Sequence, residues 1–148
     1  VFVADSFSGL PPSTSSYDNR HWDNTPYLEV DLETVKRHFM HFGTAALENT
    51  VFIKGFFNNT LPEWRNRIKK LAVLRLDGDM YESTMDALNA LYPKLAVGGF
   101  LIVDDFGAVL ACRKAVEDYR RQHQITEPIV PIDWTGAFWR RVQPHRPS

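Results

Sequence analysis

The stretch LAVLRLDGDMYEST, Leu71 to Thr84, runs six mostly apolar residues into two aspartates, Asp77 and Asp79, and then into a helix-like pattern. A continuous apolar run, with no alternation of polar residues, predicts a strand covered on both faces, as in a parallel sheet. A second run of this kind, VGGFLIVDDF, ends in Asp104 and Asp105, 27 residues downstream of Asp77. That separation fits one helical crossover between parallel strands. The residues between supply the helix: in STMDALNALYPKL, Met85, Leu88, Tyr92 and Leu95 share a face, and Ser83 with Asp86 forms a capping box. Gly98-Gly99 reads as the turn before the second strand.

The pattern extends in both directions. Val1 to Ala4 is a short strand meeting Asp5 and Ser6. Residues 9–28 form a long Pro/Ser/Asn-rich loop with Trp22 and Tyr27, either a lid or a variable surface loop. Asp31 is a helix N-cap, Leu32, Val35, Phe39 and Phe42 an apolar face, and Gly43 the stop. TVFIKG is a strand ending at Gly55, and FFNNTLPEWRNRIKK one short helix. After the DD pair, Val109, Cys112, Val116 and Tyr119 mark a further helix whose face makes Cys112 a core thiol. EPIVPID and GAFWRRV read as two closing strands joined by a hairpin at DWTG. The expected class is α/β, a mostly parallel doubly wound sheet with helices on both faces, as one domain over residues 1–143 with a tail at 144–148.

Composition narrows the function classes. A chain of 148 residues with 44% hydrophobic content can bury one core, and a formal charge of -1 from 17 basic and 18 acidic residues gives no basic stripe for nucleic acid or membrane. A single cysteine excludes an internal disulfide framework and points to a reducing, cytoplasmic setting. The chain starts at Val1 with a strand already under way, which reads as an N-terminal truncation.

In an open parallel sheet, ligands sit outside the carboxyl ends of the strands, and there this sequence places Asp5, Gly55, Asp77 and the Asp104-Asp105 pair. Crowding Asp77, Asp104 and Asp105 is costly unless a cation or shared proton relieves it. An all-oxygen donor set favours Mg²⁺, Mn²⁺ or Ca²⁺ over zinc. Against this, DGD can be a tight turn and an aspartate before a helix merely a cap. Asp5 either accepts the hydroxyls of a cofactor ribose or opens the loop as an Asx turn. Gly55 would let a flat base approach the backbone, with Phe56 or Phe57 beside it. The five histidines show no ligand spacing, and all but His21 are bystanders.

These residues are familiar as a group. VADSFSGLP, LAVLRLDGDMYESTMDALNALYPKLAVGGFLIVDDFGAVLACRKAVEDYR and IDWTGAFWRR resemble the macrocin O-methyltransferase family from Val1 to Arg141; the loop between Pro11 and Leu28 does not match. The resemblance implies a Rossmann-like sheet, S-adenosylmethionine and Mg²⁺ as cofactors, and methylation of sugar hydroxyls on macrolide or aminocoumarin antibiotics. It implies that Asp77, Asp104 and Asp105 hold the metal, that Asp79 is the candidate general base, and that Asp5 binds the cofactor ribose; Ser6, Gly55 and Phe56 at the neighbouring strand ends are the further candidates for the cofactor site. The acceptor is then a glycosylated small molecule, with neither nucleic acid nor membrane as a partner and a homo-oligomer as an option. Related enzymes carry a further strand and glycine-rich loop before the strand matching 1–4, normally at the sheet centre. Without them, strands 1–4 and 71–76 are expected to pair directly, or to take a strand from a second copy. Two other readings compete: a metal-dependent glycosyltransferase using the DxD, which the second acidic pair disfavours, and a non-catalytic remnant of the methyltransferase fold.

Overall fold

Leu74 and Leu76 are buried while Arg75 and Asp77 between and after them are exposed, so the strand of the opening stretch has one face in the core and one free. The computed structural model describes residues 1–18, 25–43 and 47–144. In chain order the elements are β1 (Phe2–Asp5), α1 (Leu32–His41), β2 (Val51–Lys54), α2 (Phe57–Arg67), β3 (Leu71–Leu76), α3 (Tyr81–Leu91), β4 (Leu95–Val103), α4 (Leu110–Gln122), β5 (Val130–Pro131) and β6 (Ala137–Arg140). Single 3-10 turns lie at Pro26–Leu28 and Tyr92–Lys94. The class is α/β. His21, His145 and Trp22 lie outside the described residues, as do residues 145–148 of the tail.

Strands β1 and β2 pair in parallel as a two-stranded sheet, and β3-β4-β6-β5 form a four-stranded one in which β3 and β4 are parallel and the closing hairpin antiparallel. The expected direct pairing of strands 1–4 and 71–76 is therefore corrected: β1 takes β2, β3 takes β4, and no ladder joins β1 to β3 among the described residues. Each strand takes the parallel neighbour that its own crossover helix delivers, and the second edges of β1 and β3 stay unpaired with one another. Helix α2 spans the two sheets. Phe2 packs edge-on against Trp64 of α2, and Leu61 and Trp64 pack with Leu74, Leu76 and Leu88 in the main core.

That core also takes Leu101, Val103, Cys112, Val116, Tyr119 and Trp139, each of the larger side chains contributing roughly 1.5–3 kcal/mol on burial. Trp139 Nε1 donates to the Tyr92 hydroxyl at 3.2 Å, and the buried Arg141 guanidinium donates to the carbonyls of Tyr92 and Leu95. The hairpin turn at DWTG is held by Asp133 Oδ1, which accepts from the N–H groups of Thr135 and Gly136.

Two local expectations change. Gly98-Gly99 is not a turn but a bulge inside β4: from Leu71↔Leu95 to Val73↔Phe100, β4 advances five positions while β3 advances two. Gly98 adopts φ 88°, and a Cβ on Gly99 would stand 2.7 Å from the Ala72 carbonyl oxygen, so both positions require glycine. The Ser83–Asp86 capping box does not form either. Helix α3 starts three residues earlier, at Tyr81 with Met80 as its N-cap residue, because its N-terminal N–H groups find a carboxylate elsewhere in the chain.

Candidate active site

Each parallel strand ends at the same edge, and the residues that follow it determine the chemistry there. On β3 the period of two places Arg75 and Asp77 on one face; on β4 it places Ile102 and Asp104 together, with Ile102 opposite Arg75 in register. The Asp104 N–H then donates to the Leu76 carbonyl at 2.9 Å, which fixes the level of one strand end against the other. The result is a cluster: Asp77, Asp104 and Asp105 each offer one carboxylate oxygen, all within 4.8 Å of one another. An octahedral Mg²⁺ with oxygens at about 2.0–2.1 Å needs them only somewhat closer, which exposed and half-buried side chains can supply.

Asp79 joins this group from the turn between β3 and α3. Its backbone is left-handed, φ 51°, and its N–H donates to Asp105 Oδ2 at 3.3 Å. Its carboxylate makes no hydrogen bond among the described residues. Burial, then the charges of Asp105, Asp77 and Asp104, push its pKa up to about 6. The Asp105 carboxyl is also raised, by burial first and then by Asp77.

One cation answers this charge, and the sequence reading missed it. Arg75 Nη1 lies 2.9 Å from Asp77 Oδ2 and its Nη2 2.8 Å from Asp104 Oδ1, so one planar fork bridges two strand ends. The i, i+2 relation of Arg75 to Asp77 on a strand was a readable signal.

A second group sits at the end of β1 and β2. Asp5 Oδ1 accepts from the Phe7 N–H at 2.6 Å, an Asx turn, while its Oδ2 makes no hydrogen bond among the described residues. Ser6 Oγ donates to the Gly9 carbonyl and accepts from the Ser8 N–H at 3.0 Å, so its hydroxyl serves the loop. Gly55 has φ 137° and a Cβ there would stand 2.8 Å from Thr60 Cγ2; backbone and packing account for this glycine without a bound base. Phe56 is the N-cap residue of α2, its carbonyl accepting from the Thr60 hydroxyl at 3.1 Å. The neighbouring Phe57 ring lies against Gly78 of the DGD turn, which joins the two groups along one edge.

The loop after β1 closes over the start of α3. Asp18, 1% exposed, accepts from the N–H groups of Tyr81 at 2.5 Å and Glu82 at 3.1 Å. Thr14 Oγ1 donates to Glu82, the Tyr17 and Tyr81 rings lie 4.8 Å apart, and Lys114 Nζ sits 4.9 Å over Tyr17. Residues 9–18 therefore form an ordered strap against α3, while 19–24 lie outside the described residues. No sequence signal marked Asp18, since its partners lie 63 and 64 residues away. Cys112 is buried, its thiol pushed up to about 12 by burial, as a core residue should be.

Comparison with known proteins adds the context of this geometry. The model of the macrocin O-methyltransferase family (TylF) matches residues 1–141. The chain is 47% identical over 96% of its length to a tetracenomycin-C rhamnosyl 4'-O-methyltransferase of Streptomyces olivaceus, and 42% identical over 95% to the mycinamicin III 3''-O-methyltransferase of Micromonospora griseorubida. It covers 55% and 57% of those relatives, so it spans little more than half their length. Among solved structures, the O-methyltransferase NovP superposes with TM-score 0.88 at 40% identity, covering 96% of this chain and 60% of that one. A calicheamicin methyltransferase, 18% identical with TM-score 0.70 over 94% of this chain and 59% of its own, shares the fold. With a match over residues 1–141 and relatives of this identity, the chain belongs to the macrocin O-methyltransferase family.

Proposed function

We propose that this chain is part of an enzyme that transfers a methyl group from S-adenosylmethionine to a sugar hydroxyl of a glycosylated natural product, assisted by a divalent cation. The observation that carries this is the convergence of Asp77, Asp104 and Asp105 within 4.8 Å, with Asp79 facing the same charge. The named relatives, methyltransferases acting on glycosylated antibiotics, support the acceptor class.

Among the described residues the donor set fits a hard cation: three carboxylates, with no sulfur or imidazole in the cluster. When bound, the cation supplies Lewis acidity that lowers the pKa of a coordinated alcohol. S-adenosylmethionine supplies an electrophilic methyl carbon whose leaving group is a neutral thioether. Asp5, with one carboxylate oxygen open at the end of β1, suits the ribose hydroxyls; Ser6 and Phe56 shape that end of the crevice through the backbone they hold. Asp79 takes the hydroxyl proton: it is half-buried beside the cluster, and its carboxylate has no competing hydrogen bond among the described residues. Bound there, S-adenosylmethionine would give its methyl group to the sugar oxygen, the electron pair of the broken carbon–sulfur bond staying on sulfur. The strap of residues 9–18 holds α3, and with it the Asp79 turn, in place during this step.

The acceptor is a small glycosylated molecule, and no helix among the described residues is long and apolar enough to cross a membrane. Calorimetry with S-adenosylhomocysteine in the presence and absence of MgCl₂ tests the reading. Binding of S-adenosylhomocysteine, with no binding of nucleotide sugars, is expected; binding of nucleotide sugars, or of neither metal nor S-adenosylhomocysteine, would overturn the reading for this chain.

A further inference from the structure

Arg75 occupies the position that a metal at the strand ends would contest. Its fork spans the two carboxylates that come from different strands, one nitrogen to each, and no other cation is ion-paired to the cluster among the described residues. From these observations, and resting on the metal reading above, we propose that Arg75 is the resident counter-cation of the acidic cluster, and that it sets the site's affinity for a divalent cation by having to yield its carboxylates.

The geometry explains why arginine and metal exclude one another. An octahedral hard ion requires oxygens about 2.9–4.2 Å apart, at about 2.0–2.1 Å from its centre. The Arg75 guanidinium takes Oδ2 of Asp77 and Oδ1 of Asp104, one nitrogen to each, so an ion that coordinates these carboxylates competes with it for them. The two cations also compete through charge alone, since each weakens the field that draws the other. Arg75 is rooted on β3 two residues before Asp77, and half of its side chain is exposed, so it has room to swing outward without disturbing Leu74 and Leu76. Without metal, the arginine relieves part of the repulsion among the four carboxylates. With metal, that role passes to the ion.

The test uses MnCl₂ alone, without cofactor or acceptor, and follows the spectrum of free Mn²⁺ by electron paramagnetic resonance as the purified protein is titrated. Arg75→Gln should bind Mn²⁺ about tenfold or more tightly than the wild type, because one competing positive charge has been removed. Its metal-free form should melt at a lower temperature and recover on adding the ion. Arg75→Lys, which keeps the charge but reaches one carboxylate in place of two, should tighten binding by a smaller factor and guards against a glutamine variant that does not fold. Wild-type affinity, or weaker, in the lysine variant overturns the proposal, as it does in a folded glutamine variant. If the wild type, Arg75→Gln and Arg75→Lys all leave Mn²⁺ free, the metal reading itself falls; if the wild type binds and the substitutions make no difference, only the role of Arg75 falls.

Discussion

Asp79 combines two unfavourable features in one residue. A left-handed backbone at a non-glycine position costs about 1 kcal/mol, and a carboxylate among three others in a half-buried turn resists ionisation. Both are explained if the side chain must point at the reacting hydroxyl. Asp79→Asn, close in shape, should lower kcat by roughly 10²–10⁴ while S-adenosylhomocysteine affinity stays the same, as measured by single-turnover kinetics and calorimetry. Its effect on stability has a defined sign. The folded-state pKa of about 6 lies above the ordinary 3.8, so between those values the folded protein binds more protons than the unfolded chain. The contribution of this group to stability is therefore fully present below 3.8 and lost as pH rises through about 6. Metal-free Asp79→Asn should melt above the wild type at neutral pH and converge with it in acid; the opposite ordering in differential scanning fluorimetry would place Asp79 outside the cluster's field.

At the scale of elements, the critical junction is the N-terminus of α3. Met80, its N-cap residue, has no side-chain acceptor, and Asp18 supplies one from the strap. An N-cap is worth about 0.5–2 kcal/mol, with a further contribution from a negative charge at the positive end of the helix. Asp18 is buried, so Asp18→Ala should cost toward the upper end, about 2 kcal/mol in urea denaturation, and Asp18→Asn less. The strap loses its anchor at the same time. Limited proteolysis of Asp18→Ala should cut within residues 9–18 faster than in the wild type, and equal rates would mean that Thr14 and Tyr17 hold the strap alone.

On the scale of the whole molecule, two parallel pairs sit beside one another with no strand joining them among the described residues. Strand β1 pairs on one side only, as does β3, and apolar side chains on them, Phe2 and Val73, are exposed. Phe42, Leu110 and Trp134 add further exposed apolar area. Unpaired strand edges with apolar neighbours recruit other chains. The 148-residue chain should therefore self-associate, its sedimentation coefficient rising with concentration. A monodisperse monomer with a sharp, reversible melt would show that α2 and the core alone stabilise the two sheets.

Sequence alone determined most of the elements and which acidic residues stand at the strand ends. Apolar runs, helical spacing and the acidic residues after β3 and β4 are local signals, and the N-cap expected at Asp31 formed, its Oδ1 accepting from the Thr34 N–H. Only tertiary structure decided the rest. Which strand pairs with which depends on satisfying whole ladders at once, so β1 chose β2 and β3 chose β4. The Gly98-Gly99 bulge depends on the approach of Ala72 from another strand. Asp18 reached α3 across 63 residues and displaced the local capping box, because a buried carboxylate on free N–H groups outcompetes a serine inside the first turn. Arg75 lies between these cases: its neighbour Asp77 was visible along the strand, but its second partner, Asp104, came within reach only when β4 fixed its register against β3.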